Sequence, residues 1–258
     1  MILKDRTYFF CARDGEIYRP WRGGAPLPAA LRGPFLIFNR KQHSWREYLV
    51  ELSGTRLLFR RAEQPLPSVF IDFDLLNLSE LLLTEGGRTL YGLKLSLPSK
   101  CETLYTLSLA QHKEFFAAMK GRCVLTNFLF QFETVRVICE GFNSKIYQVQ
   151  RLQDYECAAV KVFEKEAIMR GGDPAEHRLV LNEVLVMRRL AHPHIISLVE
   201  LYEGERNIYC VLEYFKGPRL FDELRKQRIL SELHAKFVLK QLLTGVSYMH
   251  AQGVMHRD

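Results

Sequence analysis

A single lysine, Lys161, sits inside the apolar run Cys157-Ala-Ala-Val-Lys-Val-Phe163, and that placement limits what the chain can fold into. Val160, Val162 and Phe163 are residues that seek a core. An ammonium group drawn in with them must be met by an acid, because a buried charge without a partner is too costly to keep. The next helix offers one. Asp173-Pro174-Ala175-Glu176 opens it with an N-cap residue, a proline at the first helical position and a glutamate in the first turn. Leu181, Val184 and Leu185 form its apolar face, and Glu183 lies among them. Glu183 is then either the partner of Lys161 or a solvated residue on an amphipathic helix.

The segments around this pair alternate between strand and turn. Val135-Arg-Val-Ile138 and Lys145-Ile-Tyr-Gln-Val149 flank a tight turn and precede the lysine strand. Leu190-Ala-His-Pro-His-Ile-Ile196 follows the helix, and Ile208-Tyr-Cys-Val-Leu-Glu-Tyr-Phe215 reads as another strand. A last helix starts near Ser231. On it Ala235, Val238, Leu242, Val246 and Met249 recur at three- and four-residue steps, which predicts a core-facing stripe.

The first half has a different character. Residues 1–132 carry 18 Lys and Arg against 12 Asp and Glu, whereas residues 133–258 carry 18 against 17, so most of the net charge of +7 lies in front. A short strand pair around Asp14-Gly15 and a Pro/Gly-rich loop over residues 20–28 open the chain. Strand signals then recur at Phe35–Phe38, Trp45–Leu52, Thr55–Phe59, Val69–Phe73, Thr89–Leu95 and Thr103–Leu107, with a Ser53-Gly54 turn. A short helix follows, with Leu109, Phe116 and Met119 near one face and Gly121 as its stop.

No apolar run reaches the eighteen or so residues that cross a bilayer, and the N-terminus lacks the features of a secretory signal. The six cysteines, Cys11, Cys101, Cys123, Cys139, Cys157 and Cys210, form no C-x-x-C pair and have no histidine at zinc spacing. Free thiols in a reducing, cytoplasmic setting are expected, with peripheral membrane association through the basic front half.

Residues 134–258 resemble the N-terminal part of a eukaryotic-type protein kinase. Aligned to G-x-G-x-x-G-x-V, the turn region reads Cys139-Glu-Gly141-Phe-Asn-Ser144-Lys-Ile146, with one glycine of the three retained. Ala159-Val160-Lys161 resembles the third-strand lysine motif, and Leu190–Ile196 is similar to H-P-N-I-V. Lys216-Gly-Pro-Arg219-Leu-Phe-Asp-Glu-Leu224 is similar to G-G-x-L-x-D-x-L, with Arg219 where several members carry an acid. Gly-Val-Met-His256-Arg257-Asp258 resembles the opening of the catalytic loop H-R-D-x-x-x-x-N. In style these motifs are similar to the calcium/calmodulin-dependent serine/threonine group.

That resemblance implies ATP as phosphoryl donor and Mg2+ as its metal, with the magnesium ligands expected beyond residue 258. It places Ile138, Gly141, Ser144, Ile146, Ala159, Lys161, Leu212, Glu213 and Phe215 around the nucleotide. Leu212 would be the gatekeeper, and the Glu213 carbonyl and Phe215 amide would meet the adenine edge. Lys161, held by Glu183, would contact the phosphates, and Asp258 would orient the substrate hydroxyl or accept its proton. His256 would be structural, and Arg257 would receive an activation-loop phosphate.

Residues 33–121 are similar to a pleckstrin-homology domain, several strands closed by one C-terminal helix with Trp45-Arg46 opening the second strand. The resemblance implies an anion or phosphoinositide site at Arg40, Lys41 and Arg46; Tyr48 stands where a further basic residue is expected. A protein-docking role is the alternative.

The expected architecture is therefore α+β: a pleckstrin-homology-like β-barrel or sandwich with a C-terminal helix, then a kinase N-lobe of antiparallel sheet plus one main helix, then the start of a helical C-lobe. Residues 1–32 form an extension, 33–121 the front module, 122–133 a linker and 134–258 a kinase domain cut at its catalytic loop. Five buried side chains on the last helix would contribute about 1.5–3 kcal/mol each, a stripe that a complete protein would cover. The chain is thus expected to be a fragment, inactive alone, of a serine/threonine kinase acting on protein substrates and not on nucleic acid. A non-catalytic adaptor that binds lipid or protein is the other class of reading.

Overall fold

A computed structural model describes residues 31–39, 41–61, 69–73, 76–96, 101–141, 144–170, 174–217, 219–227 and 229–256. The expected strand pair near Asp14, the Pro/Gly-rich loop, the Asp173 cap, Arg40, Arg257 and Asp258 lie outside these. Two compact units are present. Among the described residues, 31–130 with 200–209 make the first, and 131–199 with 210–256 the second. No helix among the described residues is long and apolar enough to cross a membrane. The described cysteines, Cys101, Cys123, Cys139, Cys157 and Cys210, are free thiols.

The first unit is built from β1 (Leu31–Asn39), β2 (Ser44–Ser53), β3 (Arg56–Arg60), β4 (Val69–Asp72), β5 (Asn77–Glu85), β6 (Arg88–Ser96), β7 (Cys101–Thr106), α1 (Leu109–Lys120) and the two-residue β8 (Val124–Leu125). Turn chemistry sets its hairpins. Gly54, at φ 61°, joins β2 to β3, and Gly86 and Gly87, at φ 57° and 75°, join β5 to β6. Two successive residues in the left-handed region make the tight connection whose twist matches antiparallel strands. Strand β5 has no counterpart among the expected strands. Its Leu81-Leu82-Leu83 run hides the alternation, and the Gly86-Gly87 pair was the signal that marked it.

The strand order in this unit is β4-β3-β2-β1-β7-β6-β5-β8, and it corrects the expectation of a closed barrel. The ladder is open because β5 pairs onward with β8, in parallel (Asn77↔Val124, Leu78↔Leu125), instead of returning to β4. Phe35, Val50, Leu52, Leu57, Leu93, Leu95 and Leu104 fill the core on the face that α1 covers.

Ser108 caps α1 by accepting from the Gln111 N–H at 3.2 Å. The helix docks on β1 through a T-shaped Phe35–Phe115 contact, ring centroids 4.9 Å apart, and through Gln111 Nε2 donating to the Pro34 carbonyl at 2.7 Å. Its buried residues are His112, Phe115 and Met119. The expected face is thus rotated: Met119 is in the core, Leu109 is 42% exposed and Phe116 is half-buried. Arg122, Cys123, Val124, Leu125 and Phe128, in the expected linker, have buried side chains.

The second unit holds β9 (Phe132–Glu140), β10 (Ser144–Arg151), β11 (Cys157–Glu164), α2 (Lys165–Arg170) and α3 (Pro174–Arg189). β9, β10 and β11 form consecutive antiparallel hairpins. Val149, Val160, Phe163, Ile168, Val184 and Leu190 make the core on which α3 rests its apolar face. Next come β12 (Leu198–Glu203) and β13 (Asn207–Leu212), a hairpin whose tip, residues 200–209, groups with the first unit and whose base groups with the second.

Two helices end the chain, α4 (Leu220–Gln227) and α5 (Glu232–Ala251). Ser231 caps α5 by accepting from the His234 N–H at 3.3 Å. The core-type stripe of this helix is largely uncovered in this chain. Only Met249 is buried; Val238 is half-buried, Ala235 is exposed, and Leu242 and Val246 are 54% and 37% exposed. Periodicity makes a side amphipathic, but burial needs a second surface; the loop after α3 supplies one at the C-terminal end of the helix. There the Ala191 N–H donates to the Tyr248 hydroxyl at 3.1 Å, and the His192 ring stacks on Tyr248.

Candidate active site

The β10–β11 ladder assembles one face of the candidate site. Ile146 stands directly opposite Lys161, and Gln148 opposite Ala159. Side chains two residues apart on a strand share a face, so Ile146, Lys161 and Ala159 line one surface. Ala159 is small and nearly buried, which leaves that surface flat.

Ile138 reaches the site differently. Cys139 pairs with Ile146 and Val137 with Tyr147, so Ile138 is the extra residue of a β-bulge. A bulge bends the strand and re-aims a side chain. At the turn, the Gly141 N–H donates to the Ser144 carbonyl at 2.8 Å, and a Cβ on Gly141 would lie 3.2 Å from that same oxygen. The turn therefore closes tightly where a glycine is retained.

Lys161 Nζ donates to Glu183 Oε1, and the ammonium also lies over the Phe163 ring at 4.9 Å. The β11 strand and α3 thus bring together the two residues that the sequence paired. The pair is partly open, with side-chain exposures of 20% and 40%. A lysine ammonium has three N–H donors, so Lys161 keeps donors for a ligand while Glu183 holds it in place.

Cys210 on β13 lies beside this pair and had no place among the expected site residues. Burial pushes its thiol from the ordinary 9.0 up to about 12; the Glu183 carboxylate adds to the rise and the Lys161 ammonium opposes it. Nothing in the sequence marks Cys210 as a neighbour of Lys161, because the relationship depends on which strands lie together.

The segment after β13 has the geometry of a recognition edge. Leu212 is nearly buried. The Glu213 N–H donates to the Ser197 carbonyl at 3.2 Å, and the Ser197 N–H to Glu213 Oε2 at 3.4 Å, which fixes the backbone on one side. On the other side, the Glu213 carbonyl and the Phe215 N–H make no hydrogen bond among the described residues.

A second connection missed in the sequence ties this segment to the strands. Arg136 Nε donates to Gln148 Oε1 at 2.8 Å, the Tyr214 hydroxyl donates to the same oxygen at 3.0 Å, and Arg136 Nη2 lies 3.3 Å from the Tyr214 oxygen.

A cavity of about 780 Å3 in this unit is lined by Leu212, Glu213 and Phe215 along with Phe132, Cys157 and His192. Ile138, Ile146, Ala159 and Lys161 lie outside it. The ladder register and the lysine pair, which can meet phosphate, define the candidate site better than this cavity does.

The remaining expected residues are dispersed. Lys41 is exposed at the β1–β2 turn, its N–H donating to Asn39 Oδ1 at 3.0 Å, and the Arg46 guanidinium donates to Gln42 Oε1. His256 is exposed.

Residues 132–258 match the family model described as "Protein kinase domain". The chain is similar, at 40% identity over 130 residues, to "CBL-interacting protein kinase 12" of Oryza sativa subsp. japonica, covering 50% of this chain and 23% of that protein. To "CBL-interacting serine/threonine-protein kinase 19" of Arabidopsis thaliana it is 35% identical over 130 residues, covering 50% and 26%. To "CBL-interacting protein kinase 11" of Oryza sativa subsp. japonica it is 33% identical over 140 residues, covering 54% and 27%. The chain spans about a quarter of the length of these curated relatives.

Proposed function

We propose that residues 132–258, the protein kinase domain of this chain, bind ATP between Ile138, Ile146, Ala159 and the Leu212–Phe215 segment, and that the whole protein is a serine/threonine kinase. The observation that carries the reading is the Lys161–Glu183 pair, set on the same face as Ile146 and Ala159. An ammonium fixed by a carboxylate orients the nucleotide phosphates, and the Glu213 carbonyl with the Phe215 N–H fits an adenine edge. The γ-phosphoryl group passes from ATP to a substrate hydroxyl, giving ADP and a phosphoester, and the hydroxyl proton goes to Asp258. Magnesium supplies charge neutralisation in such chemistry. No residue of this chain is assigned to it. Serine/threonine preference follows the printed names of the relatives.

The deciding experiment expresses the complete protein with Lys161→Met and follows transfer of labelled phosphate from ATP to a generic basic protein substrate. Loss of transfer with the fold retained supports the assignment, and unchanged transfer overturns it. The adaptor reading draws on the glycine-poor turn, and it gains if neither wild type nor variant transfers phosphate.

For the front module, we propose a pleckstrin-homology-like docking role. The order β4-β3-β2-β1-β7-β6-β5 followed by α1 supports this reading. Lys41 and Arg46 at the β1–β2 turn, with Arg40 beside them in sequence, would meet an anionic headgroup. Sedimentation with phosphoinositide-containing vesicles tests it: binding lost in Lys41→Ala/Arg46→Ala supports the headgroup site, and no binding by the wild type argues for a protein partner instead.

A further inference from the structure

Arg136, Gln148 and Tyr214 come from three separate stretches of the second unit, and their side chains meet at one oxygen. Gln148 Oε1 accepts from Arg136 Nε at 2.8 Å and from the Tyr214 hydroxyl at 3.0 Å. Arg136 Nη2 donates to the Tyr214 oxygen at 3.3 Å, which closes the three into a ring. At the other end of the same carboxamide, Gln148 Nε2 donates to Cys157 Sγ at 3.8 Å, where β11 begins. A carboxamide oxygen has two lone pairs, and both are engaged here. Arginine only donates, so its contact requires the oxygen of Gln148, not the amide nitrogen, on the side of Tyr214.

The ladder register puts this ring on the candidate nucleotide face. Arg136 stands opposite Gln148, and Gln148 opposite Ala159, so these residues form one row across β9, β10 and β11. Gln148 lies two residues beyond Ile146 on β10 and shares its face. The register shifts between Ile146 and Tyr147 and again between Gln148 and Val149, so bulges flank the stretch that carries Arg136. Such irregularities re-aim side chains and recur beside active sites. Gln148 and Tyr214 are half-buried. Tyr214 is the residue between the Glu213 carbonyl and the Phe215 N–H. Its hydroxyl makes two hydrogen bonds, and turning the side chain breaks both.

We propose that Gln148 is a positioning residue for the adenine end of the site. Through Tyr214 it sets the Glu213 carbonyl and the Phe215 N–H against the face of Ile146 and Ala159, and Arg136 fixes its orientation. The proposal rests on the reading of the Leu212–Phe215 segment as the adenine edge.

The test uses the complete protein with Gln148→Leu, Gln148→Glu and Tyr214→Phe. A fluorescent ATP analogue is displaced by adenosine, which carries only the base and ribose, or by inorganic tripolyphosphate, which carries only phosphates. In Gln148→Leu, adenosine affinity should fall about tenfold, while tripolyphosphate affinity stays within about twofold of wild type. Tyr214→Phe keeps the ring and should lose about threefold or more for adenosine, and it decides alone if Gln148→Leu does not fold. Gln148→Glu keeps the shared acceptor and should stay within about threefold of wild type. In phosphate transfer, Gln148→Leu should raise KM for ATP with kcat unchanged; a variant that is merely less folded lowers kcat and leaves KM alone. Wild-type adenosine affinity in both Gln148→Leu and Tyr214→Phe, or equal losses for adenosine and tripolyphosphate, overturns the proposal. If the wild type itself binds no nucleotide, the kinase reading fails and the proposal with it; if wild type and variants bind alike, only the proposal falls.

Discussion

Lys161 and Glu183 meet although 22 residues separate them, because β11 presents the lysine on the face toward which α3 turns its glutamate. With exposures of 20% and 40%, the pair belongs to the class of partly solvated ion pairs that contribute about 1 kcal/mol or less to stability. Its value lies in placement of the ammonium.

Glu183→Gln tests that division. The amide keeps the size and one acceptor but not the charge that orients Lys161. Melting should shift little, while affinity for an ATP analogue falls about tenfold, in keeping with a charge-assisted hydrogen bond of about 1.5–3 kcal/mol. A large loss of thermal stability with unchanged affinity would reverse the assignment.

Cys210 has a definite pH signature. Its thiol in the folded state holds its proton up to about 12, against 9.0 in the unfolded chain. The native form therefore binds more protons than the unfolded one between these values, so the contribution of Cys210 to stability is complete below pH 9 and is lost as pH rises toward 12. In denaturant titrations, wild type and Cys210→Val should show parallel pH dependence up to pH 9 and diverge above it, with the variant falling less steeply. Parallel curves to pH 11 would contradict the burial of this thiol.

Gly92 packs against the Tyr105 ring. A Cβ there would lie 2.8 Å from the Tyr105 ring and 3.2 Å from Leu81 Cβ. Gly92→Ala should cost about 1–3 kcal/mol of overpacking, read as a lower midpoint in chemical denaturation. An unchanged midpoint would mean that the ring moves freely.

Tyr214→Phe removes the hydroxyl that joins the candidate adenine edge to Gln148 and Arg136. The ring stays, so global stability should fall by about 1–2 kcal/mol, the size of two hydrogen bonds at about 0.5–1.5 kcal/mol each. Amide exchange at residues 213–217 should rise. Protection equal to wild type would show that the Glu213–Ser197 hydrogen bonds hold this segment by themselves.

Local rules made much of this chain legible before any coordinates. A lysine inside an apolar strand demands an acid, the Pro174 start and the apolar spacing around Glu183 specify a helix that carries one, and Ser53-Gly54 specifies a turn. Each depends only on neighbours within a few residues, through backbone geometry and side-chain spacing. Three features depended on surfaces brought together from afar. Strand pairing decided that the front ladder stays open, since β5 found β8 where a barrel would have needed β4. Packing decided which face of α1 is buried, selecting His112 and Phe115 over Leu109, and left the α5 stripe exposed although its periodicity is that of a core helix. Register decided that Cys210 lies beside the Lys161–Glu183 pair and that Glu200 pairs with Lys120. Periodicity states which side of an element can be buried; only the element that arrives to cover it determines whether it is.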